Sequence, residues 1–376
     1  MIPVEQTHLS ISAISHPGMS GKNNEDFYAV SSYQVSQRNK TPSVLVVLAD
    51  GVGGHNAGEV AAKIASETIT NLIAESDATR PLKTLETAII EAGIEVARNA
   101  TETHQYHGMG STCACAWVIG DRLYIGSVGD SRIYIIRNRS IQQLSTDHTW
   151  VQEAIEHGII EKSEAKDHPQ AHVIRRYLGS HRNVVPDLRL RLREGETDEQ
   201  ALENQGLRLK AGDTLLLCSD GLTDLVNENE ILATLQNNSN EQAVNSLVAL
   251  ANERGGHDNI TIVTLEMPAD YNGPGKIPLL KRKERENRLR WYVLLVLSIL
   301  IILITAVVTW LLRQEILPPI HIQSQPSPTE TLVVTPFETQ QSEGFSATMT
   351  PDFDPTETTI SDTYTPWPTH TYPPEP

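Results

Sequence analysis

The chain has 376 residues and a formal net charge of −17. An acidic balance argues against non-specific nucleic-acid binding, which neutralises phosphates with Lys and Arg. The three cysteines form no Cys-x-x-Cys motif. We interpret them as small buried hydrophobic residues in a reducing compartment, not as zinc ligands or a disulfide pair. The first residues show no basic stretch before an apolar core, so no signal peptide is expected.

Three carboxylates lie next to apolar runs. Asp50 and Asp220 each follow such a run directly, and Asp258 comes just before one. Short apolar runs bounded by turn residues indicate buried strands, here 44–49, 214–219 and 260–265. Carboxylates gathered at the ends of buried strands repel one another unless a cation lies between them. Oxygen ligands are those that hard divalent cations prefer, so the sequence predicts a Mg²⁺ or Mn²⁺ centre with two ions.

Residues 8–267 are predicted to form a globular part. Two segments have helical spacing, and their apolar stripes are Val60, Ile64, Thr68 and Leu72, then Leu85, Ile89, Ala92 and Val96. Strand-like runs follow at 112–119, 122–127 and 132–137. Short alternating strands favour antiparallel sheet with helices covering its faces. Residues 149–185, with helix-like spacing of Val151, Ile155 and Ile159, are interpreted as an inserted subdomain, and 193–206 as an acidic surface loop.

Residues 291–312 contain no charged residue. At about 1.5 Å per residue, a helix of this length spans a hydrocarbon core of about 30 Å. Trp291 and Trp310 mark its two ends, as interfacial aromatic residues do. Seven Lys and Arg residues lie in 276–290, and only Arg313 follows the span. The positive-inside rule therefore predicts a single-pass membrane protein whose globular part faces the cytoplasm.

The two segments beside this span differ in composition. Residues 268–290 are interpreted as a basic juxtamembrane linker. Residues 313–376 hold 12 of the 21 prolines and nine acidic residues. Such a composition cannot bury enough apolar surface to fold, so we expect a disordered extracytoplasmic tail rich in Pro and Thr.

Seven short motifs follow one another along the globular part in a fixed order. They are Asn24-Glu25-Asp26, Asp50-Gly51-x-Gly53-Gly54-His55-x-x-Gly58-Glu59, Gly110-Ser111-Thr112, Gly129-Asp130-Ser131-Arg132, Asp147-His148, Ser219-Asp220-Gly221-Leu222-x-Asp224 and Asp258-Asn259-Ile260-Thr261. Each motif alone is weak, since Asp-Gly pairs are common at turns. Together they resemble the PP2C-type (PPM) metal-dependent Ser/Thr protein phosphatases, most closely the bacterial branch.

This resemblance implies an α+β fold, a four-layer αββα sandwich of two antiparallel sheets with a dinuclear metal centre in the channel between them. It makes Asp50 the carboxylate that bridges both metals and Gly51 the carbonyl ligand. Asp220 and Asp258 match the ligands of the other metal, so Asp50, Asp220 and Asp258 form the expected catalytic set. Residues 149–185 match the flap subdomain beside the active site.

The resemblance also implies outer metal positions. Glu25 and Asp26 match acids that hold metal-bound water. Asp130, with Asp220 and Asp224, matches a weaker third metal site. A simpler interpretation of Asp130 is that it pairs with Arg132 and stabilises a hairpin.

The implied reaction is hydrolysis of phosphoserine and phosphothreonine in proteins. Two divalent ions lower the pKa of a water between them and orient in-line attack, so no side-chain nucleophile is required. The sequence contains neither a Cys-x₅-Arg phosphate loop nor a Gly-x-Ser-x-Gly elbow. The expected partners are phosphorylated proteins, with a bacterial Ser/Thr kinase as counterpart.

The sequence departs from the family pattern at two places. The position of the usual phosphate-binding arginine is Gly21, and the neighbouring Lys22 is a candidate substitute without the planar bidentate geometry of Arg. Val52 replaces the histidine that follows Asp-Gly in animal members. His55 is interpreted either as a supporting or helix-capping residue or as a proton donor, and His148 as a structural hydrogen-bonding residue.

Three other functions stay open at this stage. The same fold can act as a non-catalytic phosphoprotein-binding or sensor module, which the departure at Gly21 favours weakly. It can also hydrolyse small phosphate esters or nucleotides. The third alternative is a structural membrane anchor that presents the Thr- and Pro-rich tail, and it predicts that residues 1–275 alone are inactive.

Overall fold

The computed structural model describes residues 1–21, 23–53, 57–165, 168–180 and 184–271. The chain divides into two units, Met1–Arg290 and Trp291–Pro376, and every described residue belongs to the first. The predicted linker, membrane span and tail, except for residues 268–271, lie outside the described residues. Among the helices that are described, none is long and apolar enough to cross a membrane.

The described residues form groups of strands separated by helices. The strands are β1 Ile2–Pro3, β2 Ser10–His16, β3 Asp26–Gln34, β4 Pro42–Val52, β5 Gly110–Ser111, β6 Cys113–Ile119, β7 Arg122–Val128, β8 Arg132–Arg137, β9 Ser140–Gln143, β10 Leu207–Arg208, β11 Thr214–Cys218 and β12 Ile260–Glu266. The helices are α1 Ala57–Glu75, α2 Pro81–Glu102, α3 Trp150–Glu156, α4 Asp198–Glu203, α5 Asp220–Thr223, α6 Glu228–Asn237 and α7 Asn240–Glu253.

The strands pair into two antiparallel sheets, as the sequence predicted. In sheet A the order is β1-β3-β4-β6-β7-β10, with β5 paired to β4. In sheet B the order is β2-β12-β11-β8-β9. The runs predicted at 112–119, 122–127 and 132–137 are β6, β7 and β8.

Three apolar clusters separate four layers. The first lies between sheet A and α1 with α2, the second between the two sheets, and the third between sheet B and α6 with α7. Alternate residues of β4 enter different clusters: Leu45 joins the first and Leu48 the second. Both faces of the strand are therefore buried, which explains its continuous apolar run. The implied four-layer sandwich is confirmed.

Helix α1 was predicted correctly, but its buried face was wrong by one residue. The fully buried stripe contains Ala61, Ala65 and Ile69, while Val60 and Ile64 are only partly buried. Alanines have no long side chain and allow α1 to approach sheet A closely. Hydrophobicity alone favours the larger residues, so the sequence pattern pointed to the neighbouring stripe.

The segments between the sheet strands correct two further expectations. Ile159, which was placed on the helical stripe of 149–185, is 68% exposed, because α3 ends at Glu156. The predicted surface loop at 193–206 contains α4, where Thr197 and Gln200 form a capping box. Such a box satisfies backbone groups at the helix start and supports even a short helix. All three cysteines are free and buried, as predicted.

Candidate metal centre

Asp26 and Asp50 lie opposite each other on neighbouring strands of sheet A. The expectation that the strand ends at Asp50 was wrong, because β4 continues to Val52 and pairs there with β5. Thr112 holds the backbone of Asp50 at both ends: its hydroxyl accepts the Asp50 N–H at 2.9 Å, and its own N–H donates to the Asp50 carbonyl at 2.8 Å. These two hydrogen bonds fix the backbone from which the Asp50 carboxylate projects.

Sheet B supplies acidic residues from the opposite side. Asp220 is the first residue of α5, immediately after β11, and Asp258 lies just before β12. Ser219, between β11 and α5, donates its hydroxyl to Asp26 Oδ2 at 2.8 Å. This hydrogen bond joins the two sheets at the acidic cluster.

Asn259 connects the same strand end to the first acidic motif. Its Oδ1 accepts the N–H of Glu25 at 2.8 Å, and its amide donates to the carbonyls of Pro17 and Asn23. Asn259 and Ser219 thus position the acidic residues around them. Sequence reasoning included both in motifs but assigned them no role.

Mutual repulsion and burial act on these carboxylates together. Burial first, and then the charges of Asp220 and Asp258, raise the pKa of Asp26 to about 7. The pKa of Asp50 is raised well above its usual range by burial and by the neighbouring acids, Asp26 first. Burial, with Asp224 and Asp258, raises the pKa of Asp220 to about 6.

The donor set fits divalent cations. The Oδ1 atoms of Asp26, Asp130 and Asp220 are buried and have no hydrogen-bond partner among the described residues. A buried, unpartnered carboxylate oxygen is costly, and in this cluster the neighbours are further carboxylates. A hard cation would supply both the missing ligand contacts and the missing positive charge. The metal roles assigned to the individual residues, Asp258 included, stay predictions.

Gly51 and Gly58 bring the start of α1 against β4. A Cβ at Gly51 would lie 2.2 Å from the Gly58 carbonyl oxygen, and one at Gly58 would lie 2.8 Å from the Glu25 carboxylate. Any side chain at either position would push α1 away from the acidic cluster. The predicted carbonyl ligand Gly51 therefore also has a packing reason to be glycine.

The loop that carries Asp130 is held by His148. The ring Nδ1 accepts the N–H of Gly129 at 2.9 Å, and the His148 N–H donates to the Gly129 carbonyl at 2.9 Å. This confirms the structural hydrogen-bonding role predicted for His148. The simpler interpretation of Asp130 was wrong, because the ion pair of Arg132 is with Asp147. Burial, with Asp220 and Asp147, raises the pKa of Asp130.

A second group of ligand atoms joins Asp220 to residues 149–185, which were predicted to form the flap. Within the described parts of the chain, one set of three metal-ligating side chains has its ligand atoms within 4.8 Å of one another: His172, Asp220 and Asp224. They line a cavity of about 410 Å³ together with Asp130. Sequence reasoning missed His172, which carries no motif and reaches Asp224 only through the tertiary structure.

The predicted phosphate-binding position is only partly described. Lys22 and His55 lie outside the described residues, so their roles stay predictions. Gly21 is exposed and has φ of +74°, a left-handed conformation that favours glycine. This backbone gives a local reason why an arginine is absent there. It also makes Gly21→Arg an unsuitable test of phosphate binding.

Comparisons with known proteins agree with this site. The family described as "Protein phosphatase 2C" matches residues 19–252, and the chain belongs to this family. Over 272 residues the chain is 33% identical to the serine/threonine protein phosphatase PstP of Mycobacterium tuberculosis, covering 72% of this chain but 47% of PstP. The chain thus spans about half the length of that relative. It is 32% identical over 240 residues to the serine/threonine phosphatase stp of Listeria monocytogenes, covering 62% of this chain and 89% of stp.

Two solved structures share the fold. The crystal structure of the M. tuberculosis phosphatase PstP/Ppp matches with a TM-score of 0.59 and 32% identity, covering 69% of this chain and 99% of that one. The catalytic domain of PstP in complex with two manganese ions matches with a TM-score of 0.56 and 32% identity, covering 69% and 97%. The family and the two-sheet fold implied by the motifs are confirmed.

Proposed function

We propose that this chain is a metal-dependent phosphatase that hydrolyses phosphoserine and phosphothreonine in proteins. The observation that carries the proposal is the convergence of buried acids from both sheets, three of them with an unpartnered oxygen. A purely structural cluster would pair such acids with Lys or Arg. The protein phosphatases named PstP and stp, to which the chain is similar, support the same reaction.

The residues of the centre have separate tasks. Asp50, Asp220 and Asp258 would hold two Mn²⁺ or Mg²⁺ ions, with Gly51 contributing its carbonyl and Glu25 and Asp26 lying outside them. When bound, the ions supply an activated water and neutralise the phosphoryl oxygens. The hydroxyl of Ser219 keeps Asp26 in place at 2.8 Å. The two manganese ions in the PstP catalytic domain support this choice of cofactor.

Substrate and location are proposals from the sequence. Phosphorylated proteins, products of a bacterial Ser/Thr kinase, are the proposed substrates, with Lys22 binding the phosphate. The uncharged residues 291–312 are proposed to cross a membrane, with residues 1–290 on the cytoplasmic side and 313–376 outside. The basic residues of 276–290 support this orientation.

A phosphatase assay on the full chain in detergent tests the function. Wild type and Asp220→Asn are compared on a phosphothreonine peptide, p-nitrophenyl phosphate and ATP, each with chelator, Mg²⁺ or Mn²⁺. We expect metal-dependent release of phosphate from the peptide by the wild type alone. Activity confined to ATP or the small ester would favour a small-ester hydrolase. Binding of the phosphopeptide without turnover would favour a sensor module.

A further inference from the structure

The ligand group on the flap side of the centre contains a nitrogen donor. His172 Nδ1 lies 3.2 Å from Asp224 Oδ2. Asp220 and Asp224 are four residues apart in the helical turn of α5, where the Asp224 N–H donates to the Asp220 carbonyl at 2.9 Å. Side chains with this spacing share one face of a helix. Two adjacent carboxylates and an imidazole therefore point toward one small volume.

This volume also receives a buried oxygen that lacks a partner. Asp130 lines the same cavity, the residue is 6% exposed, and its Oδ1 has no hydrogen-bond partner among the described residues. Asp220 Oδ1 is buried and unpartnered in the same way. These two buried carboxylate oxygens lack a partner that a cation would supply, and this observation does not depend on His172.

The backbone that carries His172 is attached to the backbone that positions Asp130. The Val173 carbonyl accepts the N–H of Trp150 at 2.9 Å, and the Arg175 N–H donates to the His148 carbonyl at 2.7 Å. His148 in turn holds the Gly129 backbone beside Asp130. Backbone hydrogen bonds therefore connect the segment that carries His172 to the loop that carries Asp130.

The three ligand atoms lie within a distance of one another that is slightly longer than the spacing around a single bound metal ion. At about 2.1 Å per metal–ligand bond, ligand atoms around one ion lie up to about 4 Å apart. The three ligand atoms here lie within 4.8 Å, so a small approach closes the site. Imidazole suits Zn²⁺ and other transition-metal dications, whereas Mg²⁺ takes oxygen ligands and keeps its waters.

We propose that His172 ligates, through Nδ1, the third metal ion held by Asp220, Asp224 and Asp130, and that this site prefers Mn²⁺ or Zn²⁺ to Mg²⁺. Filling the site attaches the flap segment to α5. The inference rests on the proposed metal centre. It concerns a nitrogen ligand, whereas the ligands proposed for the two main ions are oxygen atoms.

Pulsed electron paramagnetic resonance of Mn²⁺ tests the ligand directly. The full chain, without a histidine tag, is titrated with one to three equivalents of Mn²⁺, in the wild type and in His172→Gln. We expect coupling to ¹⁴N to appear with the third equivalent in the wild type and to vanish in His172→Gln. Loss of this ligand should weaken the third site about tenfold or more, in line with the effect of losing supporting partners of a metal. Excess Mg²⁺ should leave the coupled ion in place.

His257→Gln is the matched control. His257 Nε2 lies 3.6 Å from the same Asp224 oxygen, but His257 is not part of the three-residue ligand group. We expect this variant to keep the ¹⁴N coupling. Absence of coupling in the wild type, or its persistence in His172→Gln, would overturn the proposal. The readout does not use turnover, so failure of the phosphatase proposal would be seen separately, in the peptide assay.

Discussion

Two carboxylates of this protein are equally buried and yet behave in opposite ways. Asp26 and Asp187 are each 7% exposed. The pKa of Asp26 is raised to about 7 by burial and by the acids of the metal centre. Burial also acts to raise the pKa of Asp187, but hydrogen bonds from Arg189 and the ring of His148, whose Nε2 lies 3.5 Å from Asp187 Oδ2, outweigh it and lower this pKa below its usual range.

The two carboxylates are equally shielded from solvent, but their charged partners differ. Arg189 donates to Asp187 at 2.6 Å, so the chain itself supplies the opposite charge. At Asp26 the nearby charges are those of Asp220 and Asp258, and the stabilising contacts, with Thr261 and Ser219, are neutral. Buried acids with a built-in cation indicate structural sites, while buried acids without one indicate sites for a cation from solution.

Asp220→Asn should reduce the phosphatase activity more than any other change considered below. Asp220 is proposed as a direct metal ligand, so its loss should reduce kcat/KM for a phosphothreonine peptide by more than the roughly 10–100-fold typical of losing a supporting partner. The same change should raise the melting temperature of the metal-free protein, because it removes one of the repelling charges. Unchanged activity would contradict the proposed ligand role of Asp220. A lower melting temperature without metal would contradict the repulsion among the acids.

Asp187→Asn should lower the melting temperature, in contrast to Asp220→Asn. Breaking a buried pair leaves Arg189 without its main partner and should cost about 3 kcal/mol. For a domain of this size, thermal unfolding should shift downward by about 6–12 °C. Asp198→Asn is the control: Asp198 also pairs with Arg189, but its side chain is 62% exposed, so a loss of less than about 1 kcal/mol is expected. Equal losses in the two variants would show that burial of the pair is unimportant.

Ser219→Ala removes one of the two neutral side-chain contacts of Asp26, the other being that with Thr261. Ser219 is fully buried and its hydroxyl donates to Asp26 Oδ2. We expect Mn²⁺ affinity, measured by isothermal titration calorimetry, to fall about tenfold. Ser140→Ala, an exposed serine on the edge strand β9, should leave the affinity unchanged. An unaltered affinity in Ser219→Ala would mean that this hydrogen bond does not position the acid.

The stability of the metal-free protein should also depend on pH. The raised pKa values of Asp26 and Asp220, about 7 and 6, mean that the folded state binds more protons than the unfolded state above about pH 4. Stability should therefore fall as pH rises from 5 to 8. Differential scanning calorimetry with a chelator should show a decline of at least about 3 °C. With saturating Mn²⁺ the decline should be smaller, and a rise with pH in the metal-free protein would contradict the assigned shifts.

Much of this fold was accessible from the sequence because its signals are local. A strand buried on both faces needs a continuous apolar run, and β4 and β11 have one. Helix α2 shows its buried stripe directly, since Leu85, Ile89 and Val96 are all fully buried. The stripe of α1 was misplaced because alanines are buried there by close packing and not by their size.

The site was predictable to the extent that its acids lie in ordered motifs. Asp26, Asp50, Asp130 and Asp220 are brought into one electrostatic cluster, as expected. The roles of Ser219 and Asn259 depend on contacts with residues far away in the chain, so no local pattern indicates them.

The sequence by itself determined the two-sheet class of fold and the acidic residues that define the family, because strand burial and Asp-Gly motifs are written in short stretches of chain. Only the tertiary structure decided which acids acquire a cationic partner and which do not. It also placed His172 beside Asp224, across 52 positions of the chain. Charges interact through space, so the partner of a buried carboxylate is known only when the chain is folded.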